Sequence, residues 1–165
     1  MKNDLLFKND DFIFSYRVTG LLIHNDEILL QKPIKEQGFS LPGGHVTCME
    51  PSYKALIREF KEELNIDIVI KKLQAIGEIF FTWGKRPCHQ INLYYQLEID
   101  DKTYSSLKSQ NELFCIDNLG QKRYDLSFHW FKIQELDNII LYPKEIVPII
   151  KNNSEYPLYF LSNQI

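Results

Sequence analysis

The sequence predicts an α/β fold in a single domain spanning residues 1–165. Three observations carry this expectation. Residues 52–64, SYKALIREFKEEL, hold no glycine or proline and space their apolar side chains at helical intervals. On both sides of that stretch run segments rich in Val, Ile, Phe and Tyr, the residue types that suit pleated strands. A helical pattern returns late in the chain, in IQELDNIILYPKEIVPIIKN at 133–152.

Taken in order, residues 12–31 read as two strands joined by a turn. Residues 18–23 are largely apolar and 28–30 apolar again, and Asn25-Asp26 between them are turn formers. A polar segment, KPIKEQGFS, leads through LPGG into the acidic stretch. Pro51 suits the first helical position, where its missing N–H needs no partner. Asn65 suits the left-handed residue that ends a helix. Strand character resumes from Ile66 in IDIVI and AIGEIFFTW, breaks at GKRP and returns in HQINLYYQLEI. Residues 100–112, DDKTYSSLKSQNE, read as a polar loop, LFCID as a short strand, QKRYD as a loop and LSFHWFKI as a strand. Pro143 and Pro148 interrupt the late helical pattern. PLYFL is the final strand. No repeat or linker divides the chain.

Composition narrows the function. Hydrophobic residues make up 44%, charged residues 25%, and the net charge is −3. This excludes a fibrous or disordered chain. It also argues against a binder of nucleic-acid backbones, which would carry a basic stripe. No apolar run reaches the ~18 residues of a membrane span, and MKNDLLFKNDDF is too charged for an export signal. Cys48, Cys88 and Cys115 are odd in number and widely spaced. They read as free thiols of a reducing cytosol. With His45 and His89 they match no zinc spacing.

Charges gather in one place: Arg58, Glu59, Glu62 and Glu63 lie within six residues. On a helix, Glu59 neighbours both Glu62 and Glu63, and each like-charged pair costs a few tenths of a kcal/mol at a surface. Arg58, four residues before Glu62, offsets part of that. A divalent cation offsets far more, and hard carboxylate oxygens suit Mg²⁺, Mn²⁺ or Ca²⁺ rather than zinc. With Arg58 at zero on the helical wheel, the three acids fall between about 40° and 140°. Tyr53, Ile57, Phe60 and Leu64 fall between about 200° and 260°. The apolar stripe is therefore expected to face away from the acids. A lone REFKEE run is usually a solvated, ion-paired face; the glycines before it decide otherwise.

The spacing runs Gly44, five residues, Glu50, seven residues, Arg58-Glu59-Phe60, one residue, Glu62-Glu63, one residue, Asn65-Ile66. This resembles the signature of the Nudix hydrolases. Asn65 stands where the family has Gly, and Met49 where it commonly has Gly; every charged position is kept. FSLPGG before the signature and FHWFKIQEL with a late LYP after it resemble the family's layout too.

The resemblance implies a single Nudix domain, a mixed β-sheet sandwiched between helices (an α/β/α sandwich). It implies a metal-dependent pyrophosphohydrolase that cleaves a nucleoside diphosphate linked to another moiety, with Mg²⁺ or Mn²⁺ as cofactor. Glu59, Glu62, Glu63 and the Gly44 carbonyl would ligate the metal. Glu62 or Glu59 would be the base, and Arg58, with Glu50, would orient the glutamates. Arg17, Lys32, Phe39, Phe80 and Glu112 are candidates for substrate contact, each set against an ordinary strand, loop or core role. Phe81 and Trp83 share the choice between stacking a base and filling the core. Glu78 and His89 match strand positions of related sequences without an assigned role.

The expected partner is a small-molecule nucleotide in the cytoplasm, with no membrane and no nucleic acid. A homodimer is compatible with this reading, and nothing in the sequence forces it. Two other functions share the fold. A nucleotide sensor without hydrolysis is disfavoured by the intact Glu59, Glu62 and Glu63. An isoprenoid diphosphate isomerase needs further protonating residues that the sequence does not identify. The choice of nucleotide derivative lies in loops 31–39, 83–90 and 100–127.

Overall fold

The computed structural model describes residues 3–110, 113–119, 122–152 and 154–165. A short strand β1 (Leu6–Lys8) precedes the long β2 (Ile13–His24) and β3 (Glu27–Pro33). Asn25 and Asp26 join β2 to β3 with φ of 49° and 61°, the left-handed pair that a two-residue hairpin demands. Next come β4 (Gly43–His45), helix α1 (Ser52–Leu64) and the hairpin of β5 (Val69–Trp83) with β6 (Arg86–Glu98). Helix α2 (Asp101–Ser109), β7 (Leu113–Leu119), β8 (Lys122–Lys132), a 3₁₀ turn (Ile133–Asn138), α3 (Ile146–Lys151) and β9 (Leu158–Asn163) complete the chain.

The strands run β7-β8-β3-β2-β6-β5-β9, with β1 and β4 also paired to β2. The β2–β6 and β5–β9 pairs are parallel, so the sheet is mixed. β2 and β3 share only two register pairs, Ile23–Ile28 and His24–Glu27. Beyond them β2 pairs with β4 at Arg17–Thr19, while β3 pairs with β8 along its whole length. The sheet therefore divides into two leaves joined at the hairpin, with the glycine-bearing β4 beside the seam.

Alternation along β2 sends Val18 and Leu22 to one face and Leu21 and Ile23 to the other. On the first face they meet Leu56 and Phe60 of α1, Leu97, and Leu107 of α2. On the second, Leu21, Ile28 and Tyr94 meet Leu136 of the 3₁₀ turn and Ile146 and Ile149 of α3. Helices on both faces give the expected α/β/α arrangement. Leu56 and Phe60 are 0% and 1% exposed, and burying each contributes roughly 1.5–3 kcal/mol.

Several local expectations are corrected. Residues 100–112 are not wholly a loop: Asp100 caps α2 by accepting a hydrogen bond from the Thr103 N–H at 2.7 Å. The hydroxyl-rich composition hid a helix that has a good cap and no glycine or proline. Within QKRYD, Lys122–Asp125 already belong to β8, in register with β7. Ile66 and Ile68 are core plugs preceding β5, not strand residues. From Val69, β5 runs unbroken into the second expected segment, with register shifts at Ile70–Lys72 and Leu73–Ala75. The late helical pattern resolves into the 3₁₀ turn and α3, with Pro148 tolerated in the first turn of α3. Among the described residues, no helix is long and apolar enough to cross a membrane.

Candidate active site

The site is built where β4 meets α1. Pro51 takes the N-cap, one place earlier than expected, and the helix ends at Asn65. Asn65 is left-handed (φ 54°, ψ 35°) and its N–H donates to the Lys61 carbonyl at 3.1 Å, as expected. Met49 is left-handed too, with φ 65°. It takes the backbone that a glycine would take without strain, and its side chain is 97% exposed.

Two glycines make close approaches, Gly43 to the backbone of strand β2 and Gly44 to helix α1. Gly43 has φ 151°, and a Cβ there would lie 2.2 Å from the Val18 carbonyl oxygen. A Cβ on Gly44 would lie 2.1 Å from Cδ of Glu59. The Glu59 carboxyl thus rests on the bare Cα of Gly44, and its side chain is only 13% exposed. This contact rotates α1 away from the expected orientation. Its buried residues are Ala55, Leu56 and Phe60, while Tyr53 and Ile57 are 44% and 38% exposed. The acidic face turns partly inward, because strand β4 offers the carboxylate a glycine instead of a side chain.

Arg58 organises the acids. Its Nε donates to Glu50 Oε1 and its Nη2 to Glu50 Oε2, both at 2.9 Å. Nη2 also donates to the His45 carbonyl at 3.1 Å. Nη1 donates to Glu59 Oε1 at 2.5 Å and reaches Glu62 Oε2 at 3.5 Å. All five guanidinium N–H groups therefore find acceptors. Thr47 adds its hydroxyl at 2.7 Å and its N–H at 3.3 Å to Glu50 Oε2. The Arg58 hydrogen bonds, helped by Thr47, hold the Glu50 carboxyl down at about 2. The same contacts, Glu50 first, raise the Arg58 guanidinium above its ordinary value.

Below this hub lies a polar support. His45 is 4% exposed, and burial pushes its imidazole down to about 3, with the charges of Arg17 and Lys8 adding to the effect. The neutral ring meets the Ser15 hydroxyl at 3.1 Å and lies parallel to Trp83 at 6.3 Å. Arg17 Nη2 donates to the Gly43 carbonyl at 2.9 Å. Arg17 also lines a cavity of about 580 Å³. Gln31, Phe39 and Leu126 form the wall from one leaf, and Phe81, Trp83 and Asn92 from the other. Asn92 is fixed by the Thr19 hydroxyl, which donates to its Oδ1 at 2.9 Å.

The structure brings together Gly44, Glu50, Arg58, Glu59 and Glu62, with Glu63 on the same helix. It places Arg17 and Phe39 at the cavity. Phe39 also packs edge-on against Phe131 at 4.8 Å, and the Lys32 ammonium sits 5.2 Å above its ring. Phe80 is not brought to this site: it lies on the opposite sheet face, 4.6 Å from the His89 ring. Its neighbours Phe81 and Trp83 line the cavity instead. Glu112 lies outside the described residues. Sequence reasoning missed Thr47 and Ser15. Thr47 carried a signal, standing three residues before Glu50; Ser15 carried none, because its partner His45 comes 30 residues later.

The sequence matches the family model of the NUDIX domain over residues 15–151. It is 30% identical to an ADP-ribose pyrophosphatase of Methanocaldococcus jannaschii over 116 residues. That match covers 66% of this chain and 66% of the relative's length, just under two thirds of each. The fold is similar to that of a MutT protein from Bacillus halodurans, with a TM-score of 0.59 and 15% identity over 90% of this chain and 89% of the other. It is also similar to an ADP-ribose pyrophosphatase from Streptococcus suis, with a TM-score of 0.52 and 15% identity over 91% and 98%. The family match spans most of the chain, and the glycine turn, Arg58 and the three glutamates fall inside it. The chain therefore belongs to the Nudix hydrolase family.

Proposed function

We propose that the chain is a divalent-metal-dependent pyrophosphohydrolase that cleaves a nucleoside diphosphate linked to another group. One observation carries the reading: Arg58 draws Glu59 and Glu62 to a single guanidinium nitrogen, against a glycine whose neighbouring carbonyl Arg17 ties to the cavity wall. Among the described residues, no three Asp, Glu, His or Cys side chains stand together as a finished cation cage. Arg58 provides the counter-charge between them. The donor chemistry, all oxygen and mostly anionic, fits a hard cation. Glu59, Glu62, Glu63 and the Gly44 carbonyl would hold Mg²⁺ or Mn²⁺. Such an ion supplies charge neutralisation for a diphosphate and lowers the pKa of bound water.

The chain's own groups do the rest. Glu59 is clamped between Arg58 and Gly44, whereas the Glu62 side chain is 42% exposed. Glu62 is the better placed to accept a proton from the attacking water. The water oxygen bonds to phosphorus, the bridging P–O bond breaks, and its electron pair leaves on the departing phosphate. Arg17 orients the glycine turn and faces the substrate. Phe81 and Trp83 offer a base their rings, and Gln31 and Asn92 offer it amides. The relative's name puts ADP-ribose first among substrates. Free Cys48 and Cys88 suit a cytoplasmic setting.

The test is product release from a panel of nucleoside diphosphate derivatives, with and without Mg²⁺ or Mn²⁺. Metal-dependent turnover of one or two compounds is expected, and Glu62→Gln is expected to lower kcat by about 10²–10⁴-fold. Tight nucleotide binding without turnover under either metal would instead support a sensor.

A further inference from the structure

The N-terminal segment precedes the residues that match the family model, which begin at 15, yet the fold builds it into the site. The Leu5 N–H donates to the Val46 carbonyl and the Cys48 N–H to the Asn3 carbonyl, both at 2.8 Å. The segment therefore runs along the loop whose Thr47 holds Glu50. β1 then pairs with β2 at Leu6–Ser15, Phe7–Phe14 and Lys8–Ile13. Past the strand, Arg86 Nη1 donates to the Asn9 carbonyl at 2.5 Å. That bond ties the segment to the β5–β6 hairpin, whose Trp83 and Gly84 line the cavity.

Strand alternation decides which side chain of β1 faces the cavity. Lys8 is in register with Ile13, Ile13 with Cys88, and Cys88 with Phe81. Partners across strands share a face, and Phe81 lines the cavity. Lys8 is thus on the cavity side, while Phe7 packs on the other side against Phe14 at 6.3 Å. The Lys8 ammonium sits 4.7 Å from the centre of the Trp83 ring, the placement of a cation on an indole face. Among the described residues no carboxylate pairs with it. The indole offers no lone pair, so the three ammonium donors stay open to an anion.

Arg17 is the second cation on this face. Burial is the main cause of the lowered His45 pKa, and the charges of Arg17 and Lys8 both add to it. At Cys88 the same two charges oppose the rise that burial causes. Both cations therefore border one space. Among the described residues that line the cavity, the one carboxylate is Glu36, from the loop after β3 in the other leaf. An anion is drawn to the β1–β2 wall and away from the opposite one.

We propose that Lys8 is a substrate-binding residue: with Arg17 it holds the phosphate chain of a nucleoside diphosphate along the β1–β2 wall. This rests on the hydrolase reading above and adds a contact from outside the matched family segment. An ammonium is a point charge without a fixed fork. Lys8 therefore reads the charge of the phosphate chain and is indifferent to the base.

Calorimetric titration of the intact chain with ADP and with adenosine, both in Mg²⁺, separates charge from stacking. Lys8→Met keeps an apolar stem on Trp83 and removes the charge. It is expected to weaken ADP binding about tenfold and to leave adenosine unchanged. Lys8→Arg keeps the charge and is expected to bind ADP within about threefold of the wild type. The difference between wild type and Lys8→Met should vanish in 1 M salt, where screening acts within about 3 Å. With a hydrolysed substrate, Lys8→Met should raise KM about tenfold and leave kcat within about twofold. If Lys8→Met lowers the melting temperature, Lys8→Gln carries the same expectations. Equal losses for ADP and adenosine would make Lys8 a support for the Trp83 ring and overturn the proposal. Unchanged ADP binding would overturn it too. A wild type that turns over no compound of the panel would count against the hydrolase reading alone, because the ADP titration still reads Lys8.

Discussion

Gly44 acts through a single hydrogen. Because it has no Cβ, the Glu59 carboxyl lies on the strand. Gly44→Ala must push Glu59 or α1 outward, costing roughly 1–3 kcal/mol in overpacking. It should also lower kcat about 10²-fold, since misplacement by about an ångström is that costly. A thermal melt and steady-state kinetics on the same preparation check both effects. Glu50 makes a different kind of prediction. Its carboxyl sits at about 2 when folded, against an ordinary value of 4.5. The stability this confers is fully present above pH 4.5 and is lost as the pH falls toward 2. Glu50→Gln should therefore cost roughly 2–3 kcal/mol at neutral pH. The gap from wild type should close between pH 4.5 and 2, as followed by denaturant melts at stepped pH. The charged residues of the site were legible in the sequence because fixed spacings on one helix determine who meets whom. Ser15 beneath His45 was not, because that contact spans 30 residues.

At the scale of elements, α1 shows where local pattern gives way. Its limits and its left-handed end followed from Pro51 and Asn65. Its rotation did not follow from the apolar stripe, because a partner glycine, not hydrophobicity, settled which face turned inward. The loop before it carries a measurable cost. Met49 holds a left-handed backbone with a side chain that touches almost nothing. Met49→Gly should relieve roughly 1 kcal/mol, raising the melting temperature by about 2–4 °C. A drop in melting temperature would mean that the entropy of the glycine outweighs the strain. Helix α2 was illegible for another reason. Its sequence is mostly polar, and Leu107 alone is buried, so neither hydrophobic periodicity nor a turn signal marks it.

For the whole molecule, the family signature made the layered fold legible, because one diphosphate site demands one arrangement of strand, loop and helix. The cavity was not legible. Its walls come from five strands and from separate loops, among them residues 36–41 and Tyr142-Pro143, and no short stretch of sequence contains them. Phe80 and Phe81 illustrate this: adjacent residues on a strand face opposite sides, and only the register shifts of β5 decide which side meets the cavity. Asn92 is buried, fixed by Thr19 and distant in sequence from the acids. Asn92→Ala should raise KM about tenfold while leaving kcat within a few-fold, the sign of binding lost equally from ground and transition states. A matched loss in kcat would place Asn92 in the chemistry instead.

The seam between β2 and β3 has a mechanical meaning. The two leaves share only two register pairs along β2 and β3, and α2 straps them from outside. His24 reaches Asp101 at 2.9 Å, and Glu27 accepts from the Tyr104 hydroxyl at 2.5 Å and from the Lys108 ammonium. The leaves are the jaws of a clamp, the Asn25-Asp26 turn is its pivot and α2 is its spring. The cavity lies between the jaws, so its width is expected to respond to the stiffness of this junction. Tyr104→Phe with Lys108→Ala softens the spring, and hydrogen exchange at Ile28 and Glu27 should quicken while exchange across β5 and β6 does not. A softened spring is then expected to weaken ligand fit through residues that line no part of the cavity.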